Sequence, residues 1–559
     1  MRARTSNGGV TVNAFAGTHV VTLGLDLSAA KRQGCLGFAI QREDHTEDER
    51  AWMRGMKTFE ATDPGVPPGG KVSSREHPFQ GFQWADYSAT PGHEYTYTVI
   101  PLRGTPSALK EGPRASVRVR TESELGATHS VFFNRGAVAS QEYARTFLNE
   151  APDEIADPTQ RKAAYDWLSR GLLDALVAFI QRADGPDFAL HAAIYEFQWP
   201  AALAAFGAAS ARGATVDVLY DGIGGASGPR DGNIAAIQAA GIEAICRPRT
   251  TGSLMHNKFV VLSHKDRPIA VWTGSTNLTE NGIFGHLNCG HIIESEAVAE
   301  RYKAYFDELA TNPVAKAERA WMGEHNPAPP EPWSDDLTMV FSPHSGNAVL
   351  DWYAQIAGAA KQALFMTFAF GMDTRFRGVY GTDDDLLRIA LMEKEGTGSR
   401  ATVAAATKAI RELQARPNVL VAVGQPIAVN SFDRWVAERH SGLGTHVQWV
   451  HTKFMLVDPL SDVPTVITGS ANFSQASTST NNENMLVIRG DTRVADIYLG
   501  EFMRIYAHYA FREAVAIAQE RGDTSWRPSH LAADESWQSE YFTPGDDRDL
   551  RRRYFAGAP

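Results

Sequence analysis

Cysteine is scarce in this chain. Its 559 residues include three, Cys35, Cys246 and Cys289, far apart and odd in number. That spacing suggests neither a disulfide framework nor a zinc site, and it fits a reducing compartment. Cys246 and Cys289 read as small buried apolar residues. Long apolar runs are missing as well. No stretch approaches the roughly 20 residues of a membrane-spanning helix. The opening Met-Arg-Ala-Arg leads into polar sequence, unlike a secretory leader. A cytoplasmic protein without a membrane span is the expectation. Excess positive charge is the third absence, because the formal net charge is −11. Bodies that bind nucleic acid usually show a basic footprint. Any capture of phosphate must therefore come from a local basic cleft.

What remains is ordinary globular material, 43% hydrophobic and 10% aromatic. At roughly 100–200 residues per domain it suffices for about three domains. Residues 1–127 carry short alternating segments, VVTLGLDL, TYTVIPLRG and ASVRVRT, separated by Gly, Pro, Asp and Ser. This pattern predicts an all-β sandwich. The run from His93 to Val99, followed by the SVRVRT strand, resembles a fibronectin type III module, which implies an accessory or partner-binding role.

From 128 the rhythm changes. Apolar residues Tyr165, Leu168, Leu172, Leu176 and Phe179 recur at helical spacing and predict one helix over 157–183, capped by Asp157. The buried strand FALHAAIYEF, a helix at 199–211 and the strand ATVDVLYD follow, an order that argues for a mixed α/β sheet. The same order returns as a helix at 343–362, the strand ALFMTFAF at 363–370 and the strand LVAVGQ at 420–425. We read an internal repeat, 128–335 and 336–525, joined by the proline-rich linker 326–336. The fold class expected is α/β, two tandem mixed-sheet domains related by a pseudo-twofold axis, after an N-terminal all-β sandwich. The tail, 526–559, ends with Arg551, Arg552 and Arg553, and reads as a solvated charged segment.

Each repeat carries one motif. The first has His256, Lys258, Gly274, Ser275 and Asn277, and the second has His451, Lys453, Gly469, Ser470 and Asn472. On a strand, residues two apart share a face, so each His and Lys are expected to point the same way. A single His-x-Lys means little, but two copies, each followed by Thr-Gly-Ser-x-Asn, are specific. The residue types suit phosphodiester cleavage. One imidazole attacks phosphorus, a second protonates the leaving oxygen, and ammonium, amide and hydroxyl groups hold the phosphoryl oxygens.

These motifs resemble those of the phospholipase D superfamily, over about 130–525. The resemblance implies a covalent phosphohistidine and no cofactor or metal. No carboxylate cluster adjoins either motif to hold magnesium. The family's Asp, seven positions after His, is Asp458 in copy two and Ser263 in copy one, with Asp266 three residues further. Asp458 is expected to brace its loop. Glu483 and Asn288 each stand 32 positions after their histidine. In members such as tyrosyl-DNA phosphodiesterase a carboxylate of the second half supports the histidine of the first, and an amide supports the other. By that likeness His256 is the nucleophile, oriented by Glu483, and His451 the general acid, held by Asn288.

Other residues near the motifs are candidates of lower rank. Tyr195, Glu196 and Trp199 follow the first buried strand and suit either the cleft or its packing. Arg247 and Arg249 precede the first motif and suit phosphate. For His286, His291 and His446 a substrate role is the less favoured reading. For substrate, the stretch GSTNLTENGIFG resembles a nuclease and helicase-associated branch. The expected function is a metal-independent nuclease, DNA before RNA. The alternatives are a lipid phosphodiesterase or transphosphatidylase, and a catalytically inactive binding protein. Nucleic acid is the expected partner, with a protein partner conceivable at the β domain.

Overall fold

Two sheets of the same strand order carry the repeat. The computed structural model describes residues 1–67, 69–136, 140–225, 228–252, 254–329, 336–424, 450–520 and 529–558. Counted over these residues, each sheet has seven strands. Across the first they run His129–Phe133, Cys289–Ile293, Arg267–Gly274, Lys258–His264, Phe188–Ile194, Thr215–Asp221 and Cys246–Arg249. Across the second they run Leu337–Ser342, Glu483–Arg489, Thr465–Gly469, Phe454–Val457, Ala363–Phe368, Leu387–Met392 and Val419–Val423. In both, the last three strands are parallel and the rest antiparallel.

The central strands read as nearly continuous apolar runs because both faces of each sheet are covered. The outer faces pack under helices such as Leu172–Gln181 and Pro200–Ala211 in the first half, and Ala348–Gly358 and Arg400–Gln414 in the second. The inner faces meet in one shared core. Phe259, Val261 and Val271 of the first half and Phe365, Phe454 and Leu456 of the second join it. Helices Glu296–Ala310 and Thr492–Glu520 supply Tyr302, Tyr305, Tyr498 and Phe502. The halves thus bury apolar surface against each other, which holds the motifs of the two repeats in one register.

The N-terminal region is all-β, with an antiparallel four-stranded sheet and an antiparallel five-stranded one. Strands Val21–Leu27, Glu94–Thr105 and Ala115–Arg120 lie where the alternation puts them.

Three expectations need correction. The helix over 157–183 is two helices, Pro158–Ser169 and Leu172–Gln181, broken where Arg170 and Gly171 turn left-handed at φ 46° and 83°. The apolar residues continue across the break although the two helices enter different clusters, Leu168 with Tyr143 and Phe284, and Leu172, Leu176 and Phe179 with the outer face of the first sheet. The helix over 343–362 is shorter, Ala348–Gly358. The charged tail is not solvated. Helix Asp547–Ala556 packs on the N-terminal sheets, and Arg552 is buried with Asp26 and Asp549 as partners. Arg551 donates to Gln83 at 2.9 Å and Arg553 pairs with Asp549 at 3.0 Å. Trp537, Tyr541 and Phe542 close around Phe82 with ring centroids 5.0–5.3 Å away. These aromatics supply the burial that charge counting misses. Of the linker, 330–335 lie outside the described residues, while Asn326 is buried and accepts from the Phe341 amide at 2.7 Å.

Candidate active site

Each histidine enters from the loop before its second antiparallel strand, and each loop is gripped by the opposite half. Met255 bridges Asn482, and Val450 bridges Leu287. The His256 amide donates to the Asn482 carbonyl at 2.9 Å, and the His451 amide to the Leu287 carbonyl at 3.3 Å. The imidazoles face each other across the junction, with centroids 6.4 Å apart and planes at 73°.

Their Nδ1 atoms are engaged crosswise. His256 Nδ1 donates to Glu483 Oε2 at 2.9 Å, and His451 Nδ1 donates to Asn288 Oδ1 at 2.9 Å. With the proton on Nδ1, each neutral ring turns an Nε2 lone pair away from its support. Asn288 has its amide sense set by its neighbours. Its Oδ1 also accepts from Ser275 Oγ at 2.8 Å, and its Nδ2 donates to the Gly282 carbonyl at 2.7 Å.

The lysines lie beneath the histidines. Lys258 Nζ donates to the His256 carbonyl at 2.6 Å, and Lys453 Nζ donates to the His451 carbonyl. All four side chains are buried. Burial drives His256 down to about 4 even though Glu483 pulls the other way, and it sends His451 well below the usual histidine range. Burial likewise lowers Lys258 to about 8 and Lys453 well below ordinary lysine. Positive neighbours, Lys453, His286, Lys258 and His256, add to the drop at His451. An arriving phosphodiester carries the opposite charge and would reverse that contribution.

The Ser and Asn of each motif follow a glycine that cannot carry a side chain. At Gly274, φ 143°, a Cβ would run into the Cys289 carbonyl, and at Gly469 into that of Asn484. Ser275 and Ser470 brace the crossover: each accepts from the next strand's amide, Cys289 at 3.1 Å and Asn484 at 3.0 Å. Asn277 is buried and Asn472 half-buried, and the buried Oδ1 of each has no protein partner. Asp458, in left-handed backbone at φ 49°, accepts from the amides of Lys361, Gln362 and Ala363, so it ties a turn and stays out of the cleft. Ser263, its counterpart, is buried in a strand and makes no such brace.

Tyr195 lines the site. Its ring is 4.9 Å from that of His256 and lies 5.0 Å from Lys258 Nζ. Trp199 packs instead with Tyr165 and Phe284. Glu196 is near enough to raise both lysines. His286 places its ring 5.6 Å from His451. His291 is elsewhere, between His129 and Tyr498 in the interior. Arg249 is not a phosphate ligand: it is fully buried against Glu318 and donates to Asn482 at 3.1 Å. Arg247 pairs with Asp217. Cys289 is buried, Cys246 only half-buried, and all three cysteines are unpaired. His446 lies outside the described residues.

Two carboxylates escaped the sequence reading. Asp221 accepts from the Met255 amide at 2.9 Å, and Glu393 from the Val450 amide at 2.8 Å. Each holds the residue just before a motif histidine. Both stand at the end of the strand that neighbours the first buried strand of the half, and that shared position was the signal available. Among the described residues no three His, Cys, Asp or Glu side chains converge as metal ligands, and no helix is long and apolar enough to cross a membrane.

Two related α/β halves that present paired histidines and lysines to one pocket define the phospholipase D superfamily. Residues 176–310 and 354–506, more than half of the chain, match the family model described as cardiolipin synthase, PLD-like domain. The chain belongs to that family. No curated protein matches it. Among solved structures, polyphosphate kinase from Porphyromonas gingivalis is similar at 10% identity and a TM-score of 0.36, over 57% of this chain and 46% of that one. The chain therefore spans just under half the length of that protein. Phosphatidylserine synthase from Haemophilus influenzae Rd KW20 is similar at 10% identity and a TM-score of 0.43, over 63% of this chain and 92% of that one. Nuc, a phospholipase D family member from Salmonella typhimurium, is similar at 18% identity and a TM-score of 0.23, over 31% and 94%.

Proposed function

We propose that the protein cleaves phosphodiesters without a metal, through a phosphohistidine on His256, and that its substrate is nucleic acid, DNA before RNA. The crossed support of the histidines carries this reading: a carboxylate behind His256 and an amide behind His451. The carboxylate stabilises the charge that His256 gains on attack, whereas the amide fixes His451 without adding negative charge. In the first step His256 Nε2 bonds to phosphorus as the P–O bond to the leaving group breaks, and His451, which takes up a proton at Nε2 once the anionic phosphodiester is bound, delivers that proton to that oxygen. Water then attacks phosphorus, gives its proton to His451, and the P–N electron pair returns to His256. Lys258, Lys453, Asn277 and Asn472 hold the phosphoryl oxygens.

For nucleic acid speaks the GSTNLTENG run, whose continuation supplies Phe284. That ring, Tyr165 and Trp199 line a groove of about 280 Å³ together with Arg161, Lys162, Asp166 and Asp174, and Lys162 pairs with Asp166 at 2.6 Å, which leaves Arg161 as the basic group beside the rings. Aromatic faces beside a basic side chain suit bases and backbone. A lipid phosphodiester is the second reading, supported by the matched family's cardiolipin synthase description. Three unpaired cysteines accord with a cytoplasmic setting. We read the N-terminal β region as a fibronectin type III-like module that docks a protein partner, testable by pull-down with charge reversals on its exposed strand Ala108–Glu111.

The deciding assay incubates the full chain with plasmid, single-stranded DNA, RNA and phosphatidylcholine or phosphatidylglycerol vesicles in EDTA, with His256→Ala as blank. Shortened DNA that the blank lacks is the expected result. Headgroup release or exchange moves the assignment to lipid, and no turnover of any substrate overturns the reading.

A further inference from the structure

The two halves match residue for residue around the site, so their differences are informative. His256, Lys258, Ser275, Asn277 and Asn288 have their counterparts 195 positions later, at His451, Lys453, Ser470, Asn472 and Glu483. The same offset pairs His286 with Asn481, and Tyr195, which follows strand Phe188–Ile194, has its counterpart in Ala369, which follows strand Ala363–Phe368. Two rings therefore break the pseudo-twofold relation. A phenol stands beside His256, and an imidazole stands 5.6 Å from His451, tilted by 45°.

His286 is held firmly in that place. It follows the π-helical turn Asn281–Gly285, a rare geometry that recurs at functional sites. Its amide donates to the Asn281 carbonyl at 2.7 Å, and its carbonyl accepts from Asn134 Nδ2 at 2.6 Å. Gly136, at φ 54°, lies against that carbonyl so closely that a Cβ would collide with it. Asn134 also accepts from the Asn288 amide at 2.8 Å, so one side chain positions both His286 and the amide behind His451. Asn481 is anchored in the same way, its carbonyl accepting from Ser342 Oγ at 2.8 Å, so what differs between the halves is the side chain at this position. Only 9% of His286 is exposed.

We propose that His286 is a third histidine of the reaction, holding by hydrogen bond the oxygen that exchanges a proton with His451. This rests on the reading that His256 takes the phosphoryl group. In the first step that oxygen belongs to the leaving group, and the His451 proton moves onto it as its bond to phosphorus breaks. In the second it is the water oxygen, which bonds to phosphorus as its proton passes to His451 and the bond to His256 breaks. His286 accepts or donates a hydrogen bond and ends the cycle with the protons it began with.

Rapid-quench kinetics of the full chain with bis(p-nitrophenyl) phosphate test this. Nitrophenolate leaves without a proton, so the burst reports attack by His256 and the following phase reports hydrolysis. His286→Ala is expected to keep the burst, slow hydrolysis by about 10- to 100-fold and accumulate acid-labile phosphohistidine. His286→Gln, which retains a hydrogen-bonding group, is expected to recover part of the rate. A role in packing alone would reduce burst and hydrolysis together. If wild-type protein forms phosphohistidine and both variants hydrolyse it at the wild-type rate, the assignment to His286 falls while the parent reading stands. If wild-type protein forms none, both fall. Should His286→Ala not fold, His286→Gln alone decides by the same criterion.

Discussion

Glu483, carried by the second half, accepts the Nδ1 proton of His256 from the first half at 2.9 Å, and both groups are buried. Neither half can assemble this pair by itself. Replacing the carboxylate with a neutral amide, Glu483→Gln, preserves size but removes the charge that stabilises an imidazolium. We expect kcat to fall on the order of 100-fold or more, with binding of a non-hydrolysable phosphorothioate ester altered little. Steady-state kinetics and a binding isotherm on the same preparations check it. A kcat within threefold of wild type would show that the charge is dispensable.

Asn288→Asp makes the supports alike. With carboxylates behind both rings, the distinction between nucleophile and acid should weaken. Peptide mapping of the trapped intermediate is expected to find phosphate on His256 alone in wild-type protein and on both histidines in the variant. Phosphate on His451 in wild-type protein would invert the roles.

The buried histidines bear on stability against pH. Burial lowers His256 to about 4 and His191 to about 4, and shifts His19, His129, His291, His344 and His451 downward too. In the unfolded chain these rings titrate near 6.5. Between about 4 and 6.5 the unfolded state binds more protons, so stability is complete above about 6.5 and is lost as pH falls. Urea midpoints should decline from pH 7 to pH 5, with a shallower decline in His256→Asn. Midpoints unchanged over that range would contradict the burial of these rings.

Arg170 and Glu501 form a buried ion pair at 2.8 Å, and Arg504 joins Glu501 at 2.8 Å. Burial works to raise the Glu501 carboxyl, but the two arginines hold it down at about 2. Glu501→Gln leaves Arg170 buried without its counter-charge, which should cost about 3–5 kcal/mol. Arg170→Met combined with Glu501→Gln should cost less than Glu501→Gln alone. Denaturant titration of the set measures both, and additive losses would show that the pair is uncoupled.

Gly24 marks the contact between the N-terminal sheet and the C-terminal helix, since a Cβ there would collide with the Phe555 carbonyl. Gly24→Ala should destabilise the protein by about 1–3 kcal/mol and expose the C-terminal helix to protease. Unchanged melting and proteolysis would place that helix elsewhere in solution.

Much of this architecture was legible in local pattern. Strand alternation marks the N-terminal sheets, and matched motifs mark the repeat, because a strand or a His-x-Lys pair is specified over a few neighbouring residues. The catalytic candidates are visible for the same reason: their chemistry depends on residue type, and duplication makes chance improbable. What the sequence left undecided depends on long-range packing. The helix break at Arg170, the folding of the charged tail onto Phe82, and the engagement of Arg249 by Glu318 each follow from partners up to hundreds of positions away. So do Asp221, Glu393 and the nearness of His286 to His451. Residue type and spacing determined which groups are able to act on a phosphodiester. Only the packing of one half on the other decided which of them face the same pocket, because burial and hydrogen-bond partners are properties of the assembled core.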